Sequence, residues 1–427
     1  MWVINTIKMQ AISRILFAWE LGANLGHLAR DLPVAQRLRT LGHDVLFAVK
    51  DMRVATQLLK PAGFRFVQAP RPSLPLRIAS PPLNYFGILM GAGYFDSTLL
   101  SGLINAWMKI FDAYSPDIAV INHAPTALLA ARIRDLPAIA TCIGFELPPD
   151  TDVLPSIRPW EDIPKHRLRQ ADTLTLQQIN GVLCLHGALP LRRVADLFAG
   201  VPAILTTLPE LDHYGERTNA NYVGPISALS NVAERSWPRG GDTRVFAYLR
   251  PSVPGLEPLL AALRETDTSV LCVAPGISHE VANRFASPSF EIVTQPIALG
   301  AVLKDADLAV VYGTGTMADA LLAGVPLLMV PQVVEQALAA RRIEALGAGI
   351  LWAPPRTPES ARSVLARALD SPALRHNAQQ FAHRHREHAP DRAISDIADA
   401  ILGAMARAID RPHRIDETNI SRLPQKD

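Results

Sequence analysis

The strongest constraint in this sequence is a rhythm of short apolar runs, each followed by a stretch whose apolar residues come every three or four positions. ILFAW leads into a helical pattern ending near Leu41, and GHDVLFAV follows. A helix over Met52–Pro61, a strand at FRFVQAP, a helix and buried strand in SGLINAWMKIFDAYSPDIAVIN, a helix at APTALLAARIRD and a strand at LPAIATCIGF continue it. Strands apolar on both faces must be covered on both faces, so this alternation predicts a parallel α/β sheet between helical layers. The rhythm breaks over Asp150 to about Asn231, which is rich in proline and arginine. It resumes with RVFAYL, TSVLCVAP, FEIVTQP, DLAVVYG, VPLLMVP and GILWAP, each tied to a helical segment. A chain of 427 residues exceeds what one core usually supports. The reading is therefore two doubly wound α/β domains, 13–225 and 240–391, facing across a cleft. A helix over 392–409 packs back on the first domain, and 410–427 forms a loose tail.

Composition removes several function classes. Hydrophobic residues make up 49% and charged residues 19%, a foldable globular balance. A net charge of +2, with basic side chains spread along the chain, does not describe a nucleic-acid binder. The 3 cysteines, Cys142, Cys184 and Cys272, lie far apart in apolar runs and form no CxxC pair. They read as buried thiols in a reducing, cytoplasmic setting rather than zinc ligands or disulfides. MWVINTIKMQAIS lacks a sustained apolar core and a cleavage site, and Met9 is a second plausible start. IASPPLNYFGILMGAGYF carries no charge but too many prolines and glycines for a spanning helix. It reads as a buried or pocket-lining helix, and it leaves room for a peripheral membrane contact.

Chemistry concentrates in DLAVVYGTGTMADALLAGVPLLMVPQVVEQ. A buried strand ends at Tyr312, and Gly313, Thr314, Gly315 and Thr316 turn directly into a helix. Such a turn offers backbone amides to a phosphate at a helix start; it is equally an ordinary strand–helix turn capped by threonine. The next strand ends at Pro331, with Glu335 and Gln336 just beyond. Ligands of doubly wound sheets bind outside the carboxyl ends of the strands, so turn and acid–amide pair share one rim. Amides for a diphosphate beside a carboxylate and an amide for hydroxyls suit a nucleotide sugar. In the first half, LFAWELGANLGHLARDLPVA places His27 in a glycine-rich turn between strand and helix, where it either shapes the turn or acts as a base.

The ordered run G-T, A-L-x-x-G-V-P, P, an acid–Gln pair and RRIEALGAG resembles the donor-binding segment of UDP-sugar glycosyltransferases with the GT-B fold, a group that includes bacterial macrolide and aglycone glycosyltransferases. The opening strand, Gly26-His27, helix and LGHDVLF are similar to the same family's start. The resemblance covers Ile15–Phe47 and Phe290–Pro354 well and the middle by rhythm alone. It implies a first domain for the acceptor, a second for the nucleotide sugar, and a metal-independent, inverting hexosyl transfer between them. His27 is then the general base, Glu335 and Gln336 grip the donor sugar, and Gly313–Thr316 receives the diphosphate. No cofactor is implied beyond the nucleotide-sugar co-substrate, a UDP- or dTDP-sugar, and no metal ligand set.

Three departures from the family pattern stand out. Val311-Tyr312-Gly313 replaces a His-Gly-Gly start, removing a phosphate-contacting side chain. Pro33 lies six residues after His27, so Asp31 could cap a helix that starts late, leaving His27 in the loop before it. Asn122, followed by His123, stands where an aspartate often orients the base; its carbonyl oxygen can hold the ring but cannot neutralise imidazolium. His123 is a second candidate base. His43 reads as a helix C-terminal cap, Glu20 as a ligand contact or solvated strand end, and Trp107 as core; for His213 and Tyr214 hinge and cleft roles stay open. The apolar Ile78–Trp107 region points to a partly hydrophobic small-molecule or lipid-like acceptor. The rival readings are a catalytically degenerate nucleotide-sugar-binding partner protein and a sugar-nucleotide epimerase.

Overall fold

Strands with no polar face can be covered only by helices, and the computed structural model, which describes residues 12–23, 25–73, 80–226 and 235–409, has that arrangement twice. The first half runs β1 (Arg14–Trp19), α1 (Gly26–Thr40), β2 (Asp44–Val49), α2 (Met52–Leu58), β3 (Arg65–Gln68), α3 (Tyr85–Leu89), α4 (Ser97–Tyr114), β4 (Ile118–Asn122), α5 (Pro125–Ile133), β5 (Ala138–Cys142), α6 (Lys165–Leu185), β6 (Ala203–Leu205) and β7 (Asn221–Tyr222). Its strands form a parallel sheet in the order β3-β2-β1-β4-β5-β6-β7. The second half runs β8 (Arg244–Tyr248), α7 (Leu256–Glu265), β9 (Ser269–Val273), α8 (His279–Phe285), β10 (Phe290–Val293), α9 (Leu299–Lys304), β11 (Leu308–Val311), α10 (Thr314–Leu322), β12 (Leu327–Met329), α11 (Val334–Ala345), β13 (Gly349–Leu351), α12 (Pro358–Leu369), α13 (Pro372–Arg384) and α14 (Pro390–Ile409). Its parallel sheet has the order β10-β9-β8-β11-β12-β13.

In both sheets the first strand lies inside, β1 between β2 and β4 and β8 between β9 and β11. Strand order therefore reverses at β1 and at β8, and the crevice at each reversal is where such sheets receive ligands. Local sequence sets the helix starts. Asp51 accepts from the amides of Arg53 and Val54 ahead of α2, and Asp96 accepts from Thr98 and Leu99 ahead of α4. Helix α14 returns to the first half: Ile397, Ala398 and Ile401 are buried with Leu28, Val34 and Leu38 of α1 and with the apolar face of β1 and β2.

Several expectations need correction. The span read as irregular contains α6, a 21-residue helix whose threonines and glutamines blur its apolar period. Cys184, near its end, is exposed rather than buried. Helix α2 stops at Leu58, short of Pro61. His43 closes the end of α1 with its backbone rather than its ring: its amide donates to the Leu38 carbonyl oxygen at 3.2 Å, while the buried ring turns away and its Nδ1 accepts from the Ser13 amide at the start of β1. Of the uncharged stretch, residues 78 and 79 lie outside the described residues. Its Tyr85, Phe86, Leu89 and Tyr94 are buried in the core with Trp107, while Phe95 is 46% exposed. Among the described residues no single helix is long and apolar enough to cross a membrane; the one helix pair that passes such a test together is bent by 81°. Met9, the tail over 410–427 and part of the linker near 225–240 lie outside the described residues.

The packing of α14 predicts that Ile401→Ala, which empties a fully buried site, lowers stability by about 2–4 kcal/mol. Urea unfolding followed by circular dichroism checks this, and a loss below about 0.5 kcal/mol would mean that α14 contributes little to the first core.

Candidate active site

Strand β1 pairs with β4 in a register that sets Trp19 opposite Asn122, so the turn after β1 and the end of β4 meet at one rim. Helix α1 begins at Gly26, which puts His27 in its first turn. Its start is therefore earlier than a cap at Asp31 would give, and Pro33 sits inside the helix, which forgoes the bond its N–H would have given the preceding turn. Asp31 is buried and accepts at Oδ2 from Asn122 Nδ2, at 2.7 Å.

Asn122 is the centre of the site and is fully buried. Its Oδ1 lies 2.8 Å from His27 Nδ1 and 2.5 Å from Arg30 Nη2, while its Nδ2 faces Asp31 and the His27 carbonyl oxygen. Guanidinium can only donate and carboxylate prefers to accept, so the amide has one workable orientation. That orientation makes His27 Nδ1 the donor, and the lone pair of the neutral ring sits on Nε2. Gly22 lies against that edge with φ +81, and a Cβ there would collide with the imidazole. Trp19 and His123 stack on either side, with ring centroids 5.2 and 5.9 Å from His27.

The electrostatics come from Glu146, in a short helical turn after β5 that no spacing pattern in the sequence singles out. Glu146 Oε2 accepts from Arg30 Nη2 and from the Ile143 amide, each at 2.9 Å, and Oε1 lies 3.4 Å from His27 Nδ1. Burial raises the Glu146 carboxyl, but Arg30, then His27 and His123, outweigh it and hold the group below the usual carboxylate range. Burial lowers His27, with Glu146 pulling the other way, so the ring is neutral at pH 7. Burial also drives His123 down to about 3 and Asp31 up to about 7. Glu20 is neither solvated nor open to a ligand: Oε1 accepts from the Thr126 amide at 2.6 Å and Oε2 from Trp107 Nε1 at 2.9 Å, tying β1 to α4 and α5. Trp107 is core, fully buried.

At the second rim, Gly313 precedes α10 without any side chain capping the helix start. The Thr314 hydroxyl is not a cap; it donates to Glu335 Oε1 on α11, at 2.5 Å. His213, buried in the segment between β6 and β7, brings its Nε2 to 3.0 Å from the same oxygen. It faces the cleft and joins the two halves, a role no pattern around a lone histidine could have revealed. Gln336 is buried beside it, with Oε1 accepting from the Gln332 amide at 2.9 Å. Gly315 is exposed and Thr316 half-buried in the same first turn. Tyr312 packs on Tyr248, with the Arg250 guanidinium 5.9 Å from its ring centroid. Phe145, Ile157 and Leu338 close the space between the halves with Tyr214 and Val334. The structure thus joins His27 with Asn122, and Thr314 with Glu335, across one cleft. His27, His123 and Glu146 are close enough to hold a cation by distance alone, but Arg30 on Glu146 opposes one.

Residues 258–400 match the family model of the erythromycin biosynthesis protein CIII-like C-terminal domain. A PGL/p-HBAD biosynthesis glycosyltransferase of Mycobacterium tuberculosis (strain ATCC 25177 / H37Ra) is 25% identical over 397 residues, covering 86% of this chain and 88% of its own. The chain has the GT-B fold, and the family match and the relatives mark it as a glycosyltransferase. Two solved structures share the enzyme's fold. The calicheamicin glycosyltransferase CalG4 superposes with a TM-score of 0.67 at 20% identity, over 93% of this chain and 100% of that one. The glycosyltransferase SsfS6 of Streptomyces sp. SF2575, complexed with thymidine diphosphate, has a TM-score of 0.63 at 19% identity, over 92% and 99%.

Burial of His123 makes a prediction about the enzyme's acid sensitivity. Between pH 3 and 6.5 this imidazole is protonated in the unfolded chain and neutral in the fold, so its contribution to stability is full above pH 6.5 and is lost as pH falls. His123→Asn, which tolerates the residue's φ of 49°, removes that titration. Urea unfolding at pH 5.0, 5.75 and 6.5 is expected to show a shallower dependence in the variant, by up to about 1.4 kcal/mol per pH unit. Equal slopes would mean that the ring is protonated in the fold.

Proposed function

We propose that the enzyme moves a sugar from a nucleoside diphosphate donor, a UDP- or dTDP-sugar, to a hydroxyl of a partly hydrophobic acceptor, inverting the anomeric centre. The observation that carries this reading is the locked tautomer of His27, whose Nδ1–H is held by Asn122 while the Nε2 lone pair stays available. Glu335 lies near enough to act on His27 electrostatically, so a sugar gripped by Glu335 and Gln336 would reach the base.

The acceptor O–H proton passes to His27 Nε2 as the oxygen lone pair attacks the anomeric carbon. The bond from that carbon to the diphosphate oxygen breaks, and its electron pair leaves with the nucleoside diphosphate. First-turn amides of α10, from Thr314 to Thr316, meet the charge that builds on the leaving group. Arg250, beside Tyr312, adds a cation where the family's phosphate-contacting histidine is replaced. A divalent ion has no task in this scheme. Thymidine diphosphate bound to SsfS6 supports a dTDP-sugar as the donor. Support for an apolar acceptor comes from Ile88, which is partly exposed and packs with Phe145, itself against the His123 ring beside the base.

The test is thermal stability with UDP, dTDP and GDP, followed by turnover of the matching sugars on hydrophobic and polar acceptors. The expected result is a rise of several degrees with one nucleotide family at about a hundred times its dissociation constant. Turnover is expected to persist in EDTA and to fall by about a hundredfold or more in His27→Ala. A His27→Ala enzyme as fast as the wild type would end the proposed mechanism, and loss of activity in EDTA would bring a metal into it.

A further inference from the structure

A base that gains a proton during reaction needs negative charge beside it, and the group that holds the ring of His27 has none. Asn122 Oδ1 is neutral and is shared between His27 and Arg30. The nearest carboxylate is on a different strand end. Glu146 follows β5, with both oxygens committed: Oε2 is fixed by Arg30 and the Ile143 amide, and Oε1 is turned to His27 Nδ1 at 3.4 Å. That separation is long for a hydrogen bond and short for an ion pair, so its effect on the ring is one of charge rather than direction.

We propose that the orienting and charge-balancing tasks usually met by one carboxylate are divided here, with Asn122 setting the tautomer of His27 and Glu146 serving as the positioning residue that stabilises its imidazolium. Arg30 makes the division workable. It keeps Glu146 ionised in a buried site and pins Oε2, which leaves Oε1 for the ring. Asp31 does not compete, because it bonds the far side of Asn122 and burial raises it to about 7. The other charged or titratable groups acting on His27 and its partners are Arg30 on α1, His123 after β4, Lys50 after β2 and Glu335 on α11. Glu146→Gln keeps the size and the Arg30 contact but removes the charge.

The proposal rests on the transferase reading for its consequence in turnover, but not for its physical content. The experiment therefore has two readouts on the wild type, Glu146→Gln, Asn122→Asp and the double variant: the His27 pKa by imidazole ¹⁵N shifts, and kcat against pH. In Glu146→Gln the His27 pKa is expected to fall by about one unit or more and kcat by about tenfold or more. Asn122→Asp is expected to restore much of both when combined with Glu146→Gln, a larger gain than it gives in the wild type, a coupling that a merely structural role would not produce. An unchanged His27 pKa in Glu146→Gln, or equal effects of Asn122→Asp in both backgrounds, would overturn the proposal. Should Glu146→Gln fail to fold, Glu146→Asp, which keeps the charge but draws it back from the ring, decides: a lowered His27 pKa supports the division, and an unchanged one overturns it. A wild type that transfers no sugar but keeps a Glu146-dependent His27 pKa would remove the transferase reading and leave the pairing intact.

Discussion

Arg30, Asp31 and His27 converge on one neutral amide, that of Asn122, and Glu146 joins them through Arg30, at a largely buried rim. Placing such groups out of solvent costs several kcal/mol each unless every donor finds an acceptor. The amide meets much of that requirement, offering an acceptor edge to Arg30 and His27 and a donor edge to Asp31, while Arg30 Nε is left without a hydrogen-bond partner. Its position follows from the pairing of β1 with β4, and the first turn of α1 is held by the same bonds. An aspartate would accept from His27 and Arg30 but would need Asp31, already raised to about 7, to carry a proton. Asparagine is therefore the residue that lets an acid and a guanidinium of α1 and a carboxylate after β5 share the site.

The second constraint is the junction between the halves. Glu335 lies on the second domain, yet its Oε1 is held by Thr314 from its own side and by His213 from the first half. Phe145, Tyr214 and Leu338 pack beside it. Helix α14 ties the chain back to α1 from the opposite direction. The two rims are thus held face to face by a polar contact inside the cleft and an apolar one outside it, which is how a base on one sheet and a carboxylate on the other come to act on a shared substrate.

Much of this was legible in the sequence, for identifiable reasons. Strands such as IAVIN and SVLCV are apolar on both faces, so parallel sheets between helices followed directly. His27, Asn122, Thr314 and Glu335 each sit at or just past a strand's carboxyl end, and the order of the strands brings them together. Glu146 met the same condition, but a lone acid in IGFELPPD carries no spacing pattern, and its value comes from Arg30, which reads as one more solvated residue of a helix. Pro33 pointed to a late start for α1, whereas the helix begins at Gly26 and carries the proline inside it. His213 was undecidable, because a contact across domains leaves no local trace. Helix α6 was hidden by its threonines and glutamines, since packing on α4 rather than intrinsic preference shapes it.

The account turns on a single displacement in which the acceptor oxygen attacks as His27 takes its proton. The most direct measurement is the anomeric configuration of the first-formed product, read by NMR during turnover of a donor of known configuration. The account predicts complete inversion. Retention would require two displacements or attack from the leaving-group face, and it would contradict the role assigned to His27.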